Sequence, residues 1–211
     1  MTEDNTQKYT PAEEILNALS HVLGALFSIY AIVMLAVTSK TPIQIASTVI
    51  FGTSLFILFQ SSACYHAVMN EKAKAVCRRI DYSAIYILIA GTYTPLLLLG
   101  IPFPTSVVIL SMVWYLAVTG VVFSCLTLKF KKLSFGLYLG LSWLSVFLLY
   151  ELWKSTSPTV VWLFLGGGVV YTLGVIFYIS KNKFMHCIWH LFVLGGAVMH
   201  YLAVMELLKN N

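Results

Sequence analysis

Residues 158–205 read PTVVWLFLGGGVVYTLGVIFYIS, then KNK, then FMHCIWHLFVLGGAVMHYLAVM. Two runs without a single Asp, Glu, Lys or Arg flank a three-residue basic turn. At 1.5 Å rise per residue, each run is long enough as a helix to cross a ~30 Å hydrocarbon core. Working outward, the same pattern recurs along the chain, giving windows at about 17–38, 42–69, 81–99, 104–128, 133–150, 158–180 and 184–208. The composition agrees. Of 211 residues, 59% are hydrophobic and 10% charged, against about 45–50% and about 25% in soluble proteins. An ordinary soluble domain is excluded. Continuous apolar runs also exclude an outer-membrane barrel, whose strands alternate in short segments. The expected fold is an all-α membrane protein, a seven-transmembrane helix bundle. It forms one domain over 15–211 behind a short polar arm, 1–14.

Seven spans put the N-terminus and the second, fourth and sixth connectors on one side. That side holds Lys8, Lys72, Lys74, Arg78, Arg79, Lys129, Lys131, Lys132, Lys181 and Lys183, while only Lys40, Lys154 and Lys209 fall on the other. The bias of basic residues towards the cytoplasm predicts a cytoplasmic N-terminus, an outside C-terminus and a multi-pass protein of the plasma membrane. The net charge of +5 therefore reads as topology and headgroup contact. No nucleic-acid partner is expected, because no basic run interleaves with aromatics. Trp153 and Trp189 read as interfacial anchors. Gly166, Gly167, Gly168, Gly195 and Gly196 read as close helix packing. The four cysteines do not form the framework of a secreted disulfide protein.

Ionisable groups in or beside these helices are few, and each is costly enough to be a functional candidate. They are His21, His66, Asp81, His186, His190, His200 and Glu206. His66 closes the second span, Asp81 opens the third, and His186 and His190 open the seventh from the same side. All four thus share a depth within roughly 10 Å of one interface. His186-x3-His190 places two imidazoles on one helix face, which suits two ligands of a tetrahedral ion, with His66 as a third. Asp81 is either a fourth ligand or the base for a bound water, and Ser62, one turn before His66, could orient either. The alternative is a set of histidines hydrogen-bonding between helices. His200 lies about 21 Å from His186 along the axis and cannot join the same ion. It reads as a polar contact near the outer interface, and His21 as a supporting residue.

Glu14-x-x-Asn17-x-x-Ser20-His21-x-x-Gly24, Ser62-x3-His66, Asp81-Tyr82-Ser83 and His186-x3-His190 together resemble the hemolysin III family. That family is the bacterial branch of the progestin and adiponectin Q receptor group, within a wider superfamily that includes alkaline ceramidases. The resemblance covers about residues 13–205. It implies a seven-helix bundle with a zinc ion near the cytoplasmic side, held by His66, His186 and His190, with Asp81 and Ser62 matching positions that hold or polarise water. The expected function is zinc-dependent hydrolysis of a membrane lipid amide or ester. Asp81 would act as proton acceptor, Ser62 as hydrogen-bonding partner, and a bilayer lipid as substrate. Two alternatives are carried: a non-catalytic regulator of membrane state with a structural zinc, and a cytolytic hemolysin. A retinal protein is excluded because no lysine lies inside the seventh span. A proton-coupled transporter is disfavoured because no carboxylate sits at a midplane.

Overall fold

The structure, a computed structural model, describes residues 9–210; residues 1–8 of the expected arm lie outside them. Helices α1 (Pro11–Thr38), α2 (Pro42–Ala67), α3 (Glu71–Gly100) and α4 (Thr105–Leu126) lead into a composite fifth span. That span comprises α5 (Lys131–Trp143), a 3₁₀ stretch (Leu144–Leu148) and α6 (Leu149–Ser155), and is followed by α7 (Pro158–Tyr178) and α8 (Met185–Lys209). Among the described residues, seven segments are long and apolar enough to cross a membrane. The chain is an integral, multi-pass membrane protein.

Local chemistry starts these helices. Thr10 and Thr41 form reciprocal capping boxes with Glu13 and Gln44, each followed by a proline in the first turn, where its missing N–H costs nothing. Asn70 and Ser157 cap α3 and α7 through their side chains. Because Thr10 caps α1, the first helix begins at Pro11, upstream of the hydropathy window at 17. Glu13 and Glu14 are therefore helical.

Short connectors make successive spans antiparallel. The starts of α1, α3, α5 and α8 and the ends of α2, α4 and α7 thus share one end of the bundle, termed here the basal end. Helix α3 is the hub, touching α2, α4, α5 and α8, while α1 also packs on α8. One apolar cluster joins α1, α2 and α8 through Leu35, Phe51, Leu55, Phe59 and Val193. A second joins α3 to α4, the fifth span and α7 through Tyr86, Tyr93, Leu97, Val113 and Leu152. Leu116, Val118 and Val122 of α4 are exposed on the outside of the bundle, as lipid contact requires.

The fifth span is broken where the sequence suggests a continuous helix, and it runs on to Ser155. Tyr93 donates its hydroxyl proton to the carbonyls of Leu141 and Ser142, at 3.0 and 3.1 Å. A side chain bonded to helix carbonyls competes with the normal ladder, and the tighter 3₁₀ turn follows directly after. The glycine reading holds in part. A Cβ at Gly167 would lie 2.5 Å from His200 Nε2, and one at Gly196 would lie 2.7 Å from the Tyr171 ring, whereas Gly168 faces open space.

Trp189 differs from its expected place. It packs on Gly174 and Tyr178 and lines an internal cavity, because the α7 glycines leave room for an indole between the helices.

Candidate metal centre

Helix α2 ends, and α8 begins, at the basal end, and this brings His66, His186 and His190 together. One potential ligand atom from each lies within 4.8 Å of the other two. Imidazole centroids are 5.2 Å apart for His66–His186 and for His66–His190, and 4.6 Å for His186–His190. His66 and His190 are only 1% and 2% exposed.

The partners of these rings set their tautomers. His66 Nδ1 is 2.6 Å from Glu14 Oε2. A carboxylate accepts, so Nδ1 carries the proton and the Nε2 lone pair is left free. That Nε2 is buried with no partner among the described residues, an arrangement that burial penalises unless something outside the side-chain network binds it. Glu14 Oε1 in turn accepts from Lys74 Nζ at 2.6 Å. His190 Nδ1 lies 3.1 Å from the Asn17 carbonyl and 2.9 Å from Ser20 Oγ. The carbonyl accepts, so Nδ1–H donates and His190 also presents Nε2. A histidine whose far nitrogen is bonded to a carboxylate or carbonyl is the usual support of a metal ligand. The three residues fit a divalent metal of the zinc type in donor chemistry and spacing, and His66 and His190 also in tautomer.

Helix α1 supplies this support, and its sequence spacing explains how. Glu14, Asn17, Ser20 and His21 recur at helical intervals, so one face of α1 meets both α2 and α8. His21 stacks on His190 with centroids 3.6 Å apart and meets Phe59 edge-on. Glu13 fixes the depth of α1 against α8. Its carboxylate accepts from the Thr10 backbone N–H and hydroxyl and from Phe184 N–H at 3.0 Å. Phe184 has φ 64° and starts α8 without a side-chain cap of its own, so Glu13 satisfies a donor that would otherwise be orphaned. Tyr9, just before α1, covers the centre, 5.0 Å from His186 and 5.8 Å from His66 between ring centroids. Burial pushes its phenol above the usual tyrosine range, so Tyr9 stays neutral.

Asp81 and Ser62 face one another across α3 and α2, and both line the cavity beside the histidines. Asp81 stands outside the three-residue group. The cavity, of about 390 Å³, runs from the histidines between α2, α3, the fifth span, α7 and α8. Its walls are chiefly apolar, including Leu58, Ile85, Leu88, Ile89 and Val193. His200 lies at its far end, 7% exposed, with Nε2 3.0 Å from the Phe164 carbonyl. It is thus inside the bundle, and the expected outer-interface contact is replaced by a bond to α7. Glu206 pairs with Lys209 near the C-terminal end of α8. The fold brings the expected histidines, Asp81 and Ser62 around one cavity. Glu14, Lys74, Ser20 and Tyr9 join them at the site without a mark in the sequence that assigns them to it.

Comparison with known proteins agrees with this architecture. Residues 9–201 match the family model described as "Haemolysin-III related". The chain is 41% identical over 202 residues to the "Hemolysin-3 homolog" of Bacillus subtilis, covering 93% of this chain and 95% of that protein. It is 36% identical to "Hemolysin-3" of Bacillus cereus, covering 92% and 90% of the two chains. A more distant relative, the human "Monocyte to macrophage differentiation factor", is 28% identical over 77% of this chain and 70% of its own length. With a match over nearly all its length, and seven apolar spans around one histidine cluster, the chain belongs to the Haemolysin-III related family of membrane proteins.

Proposed function

We propose that this protein is a zinc-dependent hydrolase of a membrane lipid amide or ester. Its centre would lie on the cytoplasmic side, following the distribution of Lys and Arg. One observation carries the reading: the three-histidine group opens onto an apolar, lipid-sized cavity with Asp81 and Ser62 on the adjoining wall. A structural clasp would need no such cavity.

His66, His186 and His190 would hold the ion. Zinc, when bound, supplies Lewis acidity that acidifies water and polarises a carbonyl. Glu14 and the Asn17 carbonyl keep His66 and His190 in the tautomer that binds metal. Asp81 accepts the proton of the attacking water on its carboxylate and passes it to the departing amine or alcohol. The balance is one water and one acyl bond consumed, one acid and one amine or alcohol released. Ser62 holds the Asp81 carboxyl towards the cavity. Tyr9 limits access of bulk water, so the lipid approaches from the bilayer.

The test is hydrolysis of N-acyl and O-acyl lipids by purified protein, wild type against Asp81→Asn, with metal content measured on both. Turnover in the wild type, a loss of at least about a hundredfold in Asp81→Asn and retained metal support the reading. Equal turnover in both removes Asp81 from it. No turnover on either lipid class, with metal present, overturns the hydrolase.

A further inference from the structure

The far end of the cavity contains two polar groups that the reaction above leaves unused. His200 Nε2 bonds to the Phe164 carbonyl, so Nε2 carries the proton and Nδ1 is a lone-pair acceptor. The Nε2–Cδ2 edge lies against Gly167. Nδ1 is buried and has no partner among the described residues. The Tyr171 hydroxyl, on the next turn of the same α7 surface, is also buried without a partner among the described residues. Both residues line the cavity. Their rings are 5.4 Å apart between centroids, yet neither group satisfies the other.

An orphan acceptor beside a group that can donate is complementary to one chemical function, a hydroxyl, which gives a proton to Nδ1 and receives one from the phenol. We propose that this end of the cavity is a hydroxyl-recognition subsite of His200 and Tyr171, selecting lipids hydroxylated within the acyl chain. Helix geometry sets the position. Ten residues separate His190 from His200 on α8, a rise of about 15 Å. The selected hydroxyl therefore sits about that far from the group lodged at the histidine cluster, in mid-chain for a common fatty acyl lipid. The inference rests on the lipid-binding half of the proposed function and adds the substrate feature that the cavity reads. A plain chain would leave both polar groups unsatisfied in a site that water reaches poorly, and that is the source of selectivity.

The probes are stearate and a mid-chain hydroxystearate, competing for the full-length protein in lipid nanodiscs, with bound lipid quantified by native mass spectrometry. Two added hydrogen bonds are expected to favour the hydroxylated acid by about tenfold in wild type. Tyr171→Phe should reduce the preference to a few-fold and His200→Leu should abolish it, with metal content unchanged in both and stearate bound no more weakly than by wild type. Tyr171→Phe keeps the ring on Gly196, so it reports even if His200→Leu does not fold. No preference in wild type, a preference surviving in Tyr171→Phe at full size, or failure of both acids to bind overturns the subsite. Preference without lipid hydrolysis would remove the hydrolase and leave the subsite. Hydrolysis without preference would do the reverse.

Discussion

Removing the Glu14 carboxylate is the most informative perturbation of the centre that leaves every metal ligand in place. Glu14 holds the Nδ1 proton of His66 at 2.6 Å with one oxygen and Lys74 at 2.6 Å with the other. In Glu14→Gln the single amide oxygen accepts from His66 while the NH2 replaces the acceptor of Lys74, which turns to the Val68 carbonyl; the ring then keeps its tautomer but loses a charge-assisted bond. Bonds to charged groups contribute about 1.5–3 kcal/mol against about 1 for neutral ones. The substitution should therefore weaken metal binding by about 1 kcal/mol, roughly fivefold. Glu14→Ala removes the acceptor entirely, and supporting residues of this kind are worth about 10–100-fold in metal affinity. Lys74 need not be stranded in that variant, since it also reaches the Val68 carbonyl and the face of Tyr65. The assay is competition for zinc against a chelator of known affinity, on protein in detergent, with His66→Ala as the reference for a lost ligand. A graded series, wild type above Glu14→Gln above Glu14→Ala above His66→Ala, is expected. Equal affinity in wild type and Glu14→Ala would refute the idea that α1 tunes the site through His66.

Three further outcomes follow from the same geometry. Gly167→Ala should cost about 1–3 kcal/mol, because the new methyl meets the His200 ring and the Gly196 carbonyl, whereas Gly168→Ala meets nothing and should be neutral. Thermal unfolding of the two variants in detergent gives the comparison. Bound metal should be lost as pH falls below the ordinary histidine range near ~6.5, since protons compete for the same Nε2 lone pairs, and retained above it. Equilibrium dialysis across that range tests the sign, and metal retention at acid with loss at neutral pH would contradict it. Tyr9→Ala, which uncovers His66 and His186, should speed the stripping of metal by a water-soluble chelator several-fold while stoichiometry at rest stays at one per chain.

How much of this was legible in the sequence depends on what kind of signal each feature carries. The seven spans are written in length and hydropathy, and the His66–His186–His190 group in matched depth at helix ends. Depth, though, is a coordinate along the helix and says little about rotation around it. His200 and Trp189 turn towards α7, where Gly167 and Gly174 leave room for them. That pairing between two helices has no local sequence mark. Glu14 and Ser20 stood in a quoted motif without a role, although their helical spacing with Asn17 and His21 already put them on one face of α1. Lys74 looked like one more basic residue of a topogenic loop, and only the fold brings it to Glu14. The 3₁₀ break in the fifth span directly follows the carbonyls bonded by Tyr93, nearly fifty residues upstream, a partner that no reading of residues 133–150 alone could locate.

The measurement that bears most directly on the account is metal content by inductively coupled plasma mass spectrometry. It would use protein purified without chelator, comparing wild type, His190→Ala and Asp81→Ala. One zinc per chain is predicted in wild type and Asp81→Ala, with loss in His190→Ala. Absence of a stoichiometric metal in the wild type, or one that His190→Ala leaves in place, would contradict the central claim and leave the histidines as contacts between helices.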